Sequence, residues 1–388
     1  MKPRRVALFA PGISMPPNVY LDQLFGLKRG FEKEGVETYV GTQLLDPQVL
    51  KTFVRHYHPD VILEINRTRS KLPDLPRSIV HIAWIQDYRF QEELLIGDRS
   101  QSEVTFFIIE PTILGYRFDG HQGVLSPGVS ETIFFPEKLE TLSDFSFLGY
   151  IPPPITEEER NRPLPVGNAD GSLSVSFGQV VDQLMGRPEM LQSSFDYWKI
   201  HAAIHEVVEN LIGCPPAAPL SQEVLGFFDE RLVRILERRA VLQALLRVST
   251  SFRIFGPHTW KSWPDFESYY GGYLDDQADM RRVYQSTCVN LHSSGLGMHF
   301  RVLDCMASGG VVLVNESPRQ SQPGGLAQHF EPGGHYVPYP AGKVDEVARE
   351  LLLDEPRRKK IAQAAANEVR AKHTWIHRVK QILSVLEA

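Results

Sequence analysis

Short apolar runs alternate with stretches of helical spacing along the first third of the chain. Val6–Ala10 is a continuous apolar run that stops at Pro11-Gly12, the pattern of a buried strand ending in a loop. From 18 to 34, Leu21, Leu24, Phe25, Leu27 and Phe31 recur mostly on one helical face, and Gly35 is placed as a C-cap. Thr38–Gly41, Val61–Ile65, Ile79–Ile85, Phe106–Ile109 and Gly123–Leu125 read as further strands, and Val49–Tyr57 as a helix. Short apolar strands separated by helices predict a parallel sheet covered on both faces.

The pattern changes near Pro136. Phe145–Tyr150 reads as a new strand, and Pro152-Pro153-Pro154 then interrupts the chain. Between 156 and 250, Phe227, Leu232, Ile235, Leu236, Leu242, Leu245 and Leu246 carry helical periodicity, and Asn168–Ser172 reads as a loop tip. This segment is expected to be a helical insertion. Alternation restarts at Arg253–Pro257, with strands at Cys288–His292 and Val311–Val314 and helices over 299–308, 344–354, 356–371 and 376–387. The expected organisation is α/β, with two Rossmann-like domains at 1–140 and 141–371. The second holds the insertion, and 372–388 returns to the first.

Composition narrows the function classes. The chain has 388 residues, 42% of them hydrophobic and 23% charged, which excludes disorder and coiled coil as its main state. A net charge of −6 gives no basic footprint for nucleic acid. Cys214, Cys288 and Cys305 are odd in number and far apart, so they build neither a disulfide framework nor a zinc motif. The basic start with its short apolar run is a weak match to a signal peptide, and no apolar stretch of about 18 residues occurs. A cytoplasmic location is the expectation. The 13 histidines, His56 and His58 among them, show no metal-binding spacing, and no metal is expected.

The most informative stretch is His292–Gly310: strand, glycine-rich loop, helix, glycine turn. A helix N-terminus after such a loop offers free N–H groups and a positive dipole end, which suits a diphosphate. Arg301 lies in the first turn, and Asp304 shares its face three residues on. The competing reading is a plain Arg–Asp pair on a solvated helix. In the first half, Asp87 closes the strand that runs to Trp84-Ile85-Gln86 and sits at a carboxyl edge. It is the candidate general base, with Glu64 and Glu110 as rivals and helix capping as the alternative. Asn66, Arg67 and Arg69 form a polar loop that either binds a phosphate or is simply solvated.

Six features in order resemble a GT-B glycosyltransferase, more narrowly the CgeB/YkvP-like group within the group-1, family 4-like transferases. Ser143–Gly149 resembles the D-x-S-F-x-G strand, Ile254-Phe255-Gly256 the next strand, and Gly272-Tyr273 to Leu291 the G-Y…N-L run. Phe300–Gly310 resembles R-x-x-E-A-x-A-x-G, Phe330–Gly334 the F-x-x-G-x-E segment without its Glu, since His335 follows Gly334, and His373-Thr374-Trp375 with Arg378 the terminal H-T-x-x-x-R. The sequence departs from the E-x7-E motif, because Leu296 and Asp304 stand at its two positions.

The resemblance implies a hexosyltransferase-like enzyme that moves a sugar from a nucleoside diphosphate sugar to an acceptor hydroxyl. UDP is the implied nucleotide, with GDP and dTDP as alternatives. The acceptor is left open between protein, glycan and small molecule. The diphosphate falls to His299, Phe300 and Arg301, with Lys261 as a second cation, and the ribose to Asp304. The base is bordered by Gly256, Trp260 and Tyr273, and Gly12 lets a first-domain loop approach the donor. For Trp260 and Tyr273, packing is the alternative. Two other functions fit the same features: a non-catalytic sugar-nucleotide sensor and a GT-B epimerase. The insertion is a candidate protein-contact surface.

Overall fold

The structure is a computed structural model. It describes the chain apart from residues 1, 13–18, 88, 91–92, 95–99, 110–119, 165, 167–174, 188–189, 191–196, 217–218 and 295–297, and gives the backbone alone for 89–90, 93–94, 197–198 and 222. Glu110, Leu296 and the Asn168–Ser172 tip lie outside the described residues.

The first half builds a six-stranded parallel sheet from β1 (Arg5–Phe9), β2 (Glu37–Val40), β3 (Val61–Ile65), β4 (Val80–Ile85), β7 (Val104–Phe107) and β8 (His121–Val124), in the order β2-β1-β3-β4-β7-β8. A two-residue hairpin, β5 (Arg89–Phe90) and β6 (Glu93–Leu94), follows β4. Helices α1 (Val19–Lys33) and α2 (Pro47–Tyr57) cross over between strands. Asp46 caps α2 by accepting from Gln48 N at 2.9 Å, with Pro47 at its first position. Alternate side chains go to opposite faces: Val6, Leu8, Leu63, Ile82 and Trp84 meet α1, while Ala7, Phe9 and Ile62 meet α2.

The second half repeats the plan. Strands β9 (Ser143–Leu148), β10 (Phe252–Phe255), β11 (Tyr270–Gly272), β12 (Thr287–His292), β13 (Val312–Asn315) and β14 (Val337–Tyr339) form a parallel sheet in the order β11-β10-β9-β12-β13-β14. Its helices are α8 (Pro264–Glu267), α9 (Gln277–Gln285), α10 (Phe300–Ala307), α11 (Val344–Leu353) and α12 (Glu355–Lys372). The short strands β11 and β14 are additions to the sequence reading. Three residues are too few for a period to show.

Between β9 and β10 the chain detours through α3 (Glu157–Asn161), α4 (Phe177–Leu184), α5 (Tyr197–Ile212), α6 (Gln222–Gly226), a π-helical turn over Phe227–Leu232, and α7 (Val233–Leu246). The insertion has a core of its own, in which Phe177, Val180, Ile204, Val208, Phe228 and Leu232 are buried together. The last helix, α13 (Trp375–Glu387), packs on α1. Gly26 makes this contact possible, because a Cβ there would stand 2.3 Å from the Trp375 indole.

Candidate functional site

The second sheet reverses its strand order between β9 and β12, and ligands bind outside the carboxyl ends of strands at such a point. Gly149 and Gly256 sit at the ends of β9 and β10. A Cβ on Gly256 would lie 2.1 Å from the Gly149 carbonyl oxygen, so only glycine lets the two strand ends close to this degree. Arg301, in the first turn of α10, donates to the Leu148 carbonyl and so lies across the end of β9.

Two arginines of α7 join it. Arg238 is buried, its guanidinium 5.6 Å from the centroid of the Phe147 ring, and its Nη1 has no hydrogen-bond partner. Arg234, one turn earlier, stands 5.9 Å over the Tyr150 ring. Burial, then repulsion from Arg234 and Arg301, pushes the Arg238 pKa well down against the opposing pull of Glu237 and Tyr150. Burial and Arg234 lower Arg301 as well, against the opposing pull of Tyr284 and Asp304. One buried and two half-buried guanidiniums have thus been brought into mutual range. An anion of two charges or more is the ligand that relieves this arrangement.

His299 caps α10, its Nδ1 accepting from Arg301 N at 3.2 Å, and its ring lies 5.0 Å from His292. Burial and the neighbouring cations push its imidazole well below the usual range, so it is neutral at pH 7. One of the N–H groups expected to meet a phosphate is therefore satisfied by the helix's own cap. Asp304 is buried on the same helix. Burial and the facing Asp22 push its carboxyl well up, with Arg301 pulling the other way. Asp304 and Phe300 line a small cavity of about 60 Å³ with Asp22, Gln23 and Trp375, where the two halves of the chain meet. Tyr273 is half-buried on the loop after β11, within electrostatic range of Arg301.

Trp260 takes its packing alternative. It is fully buried, donates from Nε1 to Gly149 O at 2.8 Å and packs edge-on against Phe147 and Phe266, so it supports the strand end. Lys261 is exposed, its ammonium 5.9 Å from the Tyr270 ring centroid. Gly12 is exposed, and a Cβ there would meet only Gln43 at ordinary distance, so no close approach requires glycine. The sequence reading missed Arg234 and Arg238. Their signal is faint: two arginines one turn apart at the end of an apolar-spaced segment, which also describes a solvated face.

On the first sheet, Asp87 is exposed just past the carboxyl end of β4. It caps no helix among the described residues. Its Oδ2 accepts from Asn66 Nδ2 at 2.9 Å and from the Tyr20 hydroxyl. The rival Glu64 is buried and consumed. Burial opposes its charge, yet Arg67 and His81 outweigh that and hold the carboxyl below its usual range. Arg67 is committed to Glu64 and the Leu45 carbonyl. Arg69 is buried against Glu103 and the carbonyls of Leu75, Pro76 and Ile79. Neither arginine is in a solvated loop. Among the described residues no three His, Cys, Asp or Glu are grouped to hold a metal. No helix there is long and apolar enough to cross a membrane.

A family described as glycosyl transferase-like matches residues 234–384, which take in Arg234, Arg238 and all of α10. No curated protein matches the chain. Among solved structures, WaaG, a glycosyltransferase involved in lipopolysaccharide biosynthesis, is 9% identical with a TM-score of 0.50 over 98% of each chain. Anabaena HepE, solved in complex with UDP, is 12% identical with a TM-score of 0.48 over 100% of each. The S. aureus protein TarM is 9% identical with a TM-score of 0.47. The match covers 84% of this chain and 55% of TarM, so the chain spans little more than half of TarM's length. The chain therefore has the GT-B fold, two Rossmann-like domains facing a cleft with a helical insertion in the second, and its residues 234–384 carry the glycosyl transferase-like pattern.

Proposed function

We propose that the chain is a glycosyltransferase that takes a sugar from a nucleoside diphosphate sugar and passes it to an acceptor hydroxyl. The observation that carries this is the convergence of Arg234, Arg238 and Arg301 at the switch point of the second sheet. A diphosphate supplies the charge that these guanidiniums lack. They in turn stabilise the charge that develops on it as the sugar departs. Asp304 accepts from the ribose hydroxyls, and Gly256 and Tyr273 border the base. Asp87 faces the cleft from the first sheet and takes the proton of the acceptor hydroxyl. Uridine is the nucleoside proposed first.

Leu296 in place of the first acid of the family 4 motif favours a second reading, a sensor that binds the sugar nucleotide without turning it over. One experiment bears on both. Thermal shifts are measured with UDP-, GDP- and dTDP-sugars, and with a CMP-sugar, which carries a single phosphate. A diphosphate donor raises the Tm by mass action, and the CMP-sugar raises it less. Arg301→Ala and Asp304→Ala are expected to abolish the shift, and an undiminished shift in both places the donor elsewhere. Binding with neither transfer nor donor hydrolysis selects the sensor.

A further inference from the structure

We propose that Tyr20 and Asn66 are positioning residues that hold the Asp87 carboxylate ready to take the acceptor's proton; this rests on the reading of Asp87 as the general base. Asn66 directly follows β3 with φ of 58°, a left-handed conformation that Asn tolerates better than most residues. Glycine would meet that backbone need as well. What glycine lacks is the side chain, and here the amide is used at both ends. Its Oδ1 accepts from the backbone N–H of Gln86 at 2.8 Å and of Asp87 at 3.0 Å. Those two bonds fix the amide's orientation, so Nδ2 must point the other way. There it donates to Asp87 Oδ2 at 2.9 Å and to the Tyr20 hydroxyl oxygen at 3.1 Å.

Tyr20 reaches the same carboxylate oxygen from α1. Burial, reinforced by the charge of Asp87, raises the phenol's pKa, so Tyr20 remains a donor throughout the working range. Both donors converge on Oδ2. Oδ1 is left without a hydrogen bond among the described residues, on an exposed side chain at the carboxyl edge of the sheet. Alongside, Gln23 of α1 bonds reciprocally with Gln86, which ties the turn to the helix whose Asp22 faces Asp304. In the step assigned to Oδ1, the acceptor oxygen bonds to the anomeric carbon. The bond from that carbon to the phosphate oxygen breaks, the nucleoside diphosphate leaves with the electron pair, and the acceptor's proton moves to Asp87. A carboxylate held by two donors on one oxygen presents the other without a rotamer search.

The test measures release of nucleoside diphosphate from the sugar nucleotide that gives the largest thermal shift, with water in place of the acceptor. Asp87→Asn is expected to lower kcat by about 100-fold or more, the usual weight of a general base. Tyr20→Phe keeps the ring and loses the donor, and should lower kcat about 10-fold with the donor KM unchanged. Asn66→Asp keeps the oxygen that holds Gln86 and Asp87 but sets a carboxylate against Asp87, and should lower both kcat and Tm. The double exchange Asn66→Asp/Asp87→Asn restores the pairing with its roles reversed. It should recover the Tm without recovering turnover. Wild-type kcat in Tyr20→Phe and Asn66→Asp, or turnover regained in the double exchange, overturns the positioning role. Absence of any sugar-nucleotide shift in the wild type instead removes the glycosyltransferase reading. A shift with neither hydrolysis nor transfer selects the sensor, full turnover in Asp87→Asn removes Asp87 as the base, and either outcome removes this proposal.

Discussion

Arg238 shows how one side chain can be costly to the fold and useful to the site. A guanidinium buried beside two others, with one nitrogen unpaired, destabilises the empty protein. Arg238→Met keeps the length and the contact with Phe147 while removing the charge. The ligand-free variant should melt higher, by about 1 kcal/mol or roughly 2 °C for a chain of this length. The donor-induced shift should vanish with it. Calorimetry with and without UDP-sugar reads both effects. A lower Tm in the empty variant would mean that the guanidinium is compensated in the fold and poised for no anion.

Among the elements, the insertion supplies Arg234 and Arg238, so on the proposed reading its stability and donor binding are linked. Phe228 lies at its centre, fully buried, stacked 5.6 Å from Phe177 and packed edge-on against Phe227. It also belongs to the π-helical turn that runs straight into α7. Phe228→Ala should cost about 3–5 kcal/mol, the usual range for a buried phenylalanine. Hydrogen exchange should show α4, the π turn and the start of α7 opening earlier, while β9, β12 and α10 keep their protection. Uniform loss of protection across the second sheet would make the insertion part of that domain's single core.

These elements also mark what the sequence could and could not tell. Val6–Ala10, Val61–Ile65 and Cys288–His292 were legible because strands buried on both faces are mostly apolar, here interrupted by the buried Glu64, Asn290 and His292. Asp87 was legible because a strand end in a parallel sheet has a known edge. Asn66 was not legible as its clamp, because the partners Tyr20, Gln86 and Asp87 come from two other elements. Trp260 was open between two readings for a related reason: an indole on a loop can serve a base or a core, and the Gly149 carbonyl that takes its N–H comes from a distant strand end. Arg234 and Arg238 sit on a helix whose period is plain, yet the strand end they serve lies across the whole insertion in sequence.

At the scale of the whole molecule, the two halves meet at a pair of carboxylates. Asp22 on α1 and Asp304 on α10 line the same cavity, and α13 packs on α1 beside it through Trp375. Burial raises both carboxyls, each against the pull of an arginine, Arg29 for Asp22 and Arg301 for Asp304, while Gln277 donates to Asp22 and lowers it in part. A carboxyl whose pKa is higher in the folded state holds more protons folded than unfolded. Its contribution is fully present below the unfolded value of about 4 and is lost as the pH rises through the folded value. As the pH rises through the folded values, the seam therefore takes on charge that the fold resists. Asp304→Asn removes that charge at nearly constant shape and should raise the Tm at pH 7.5. The gain should shrink as the pH falls and disappear near pH 4, where the wild-type carboxyl is already protonated. An advantage for Asp304→Asn that stays constant from pH 7.5 to 4 would locate the effect in packing and remove the charge at the seam as its cause.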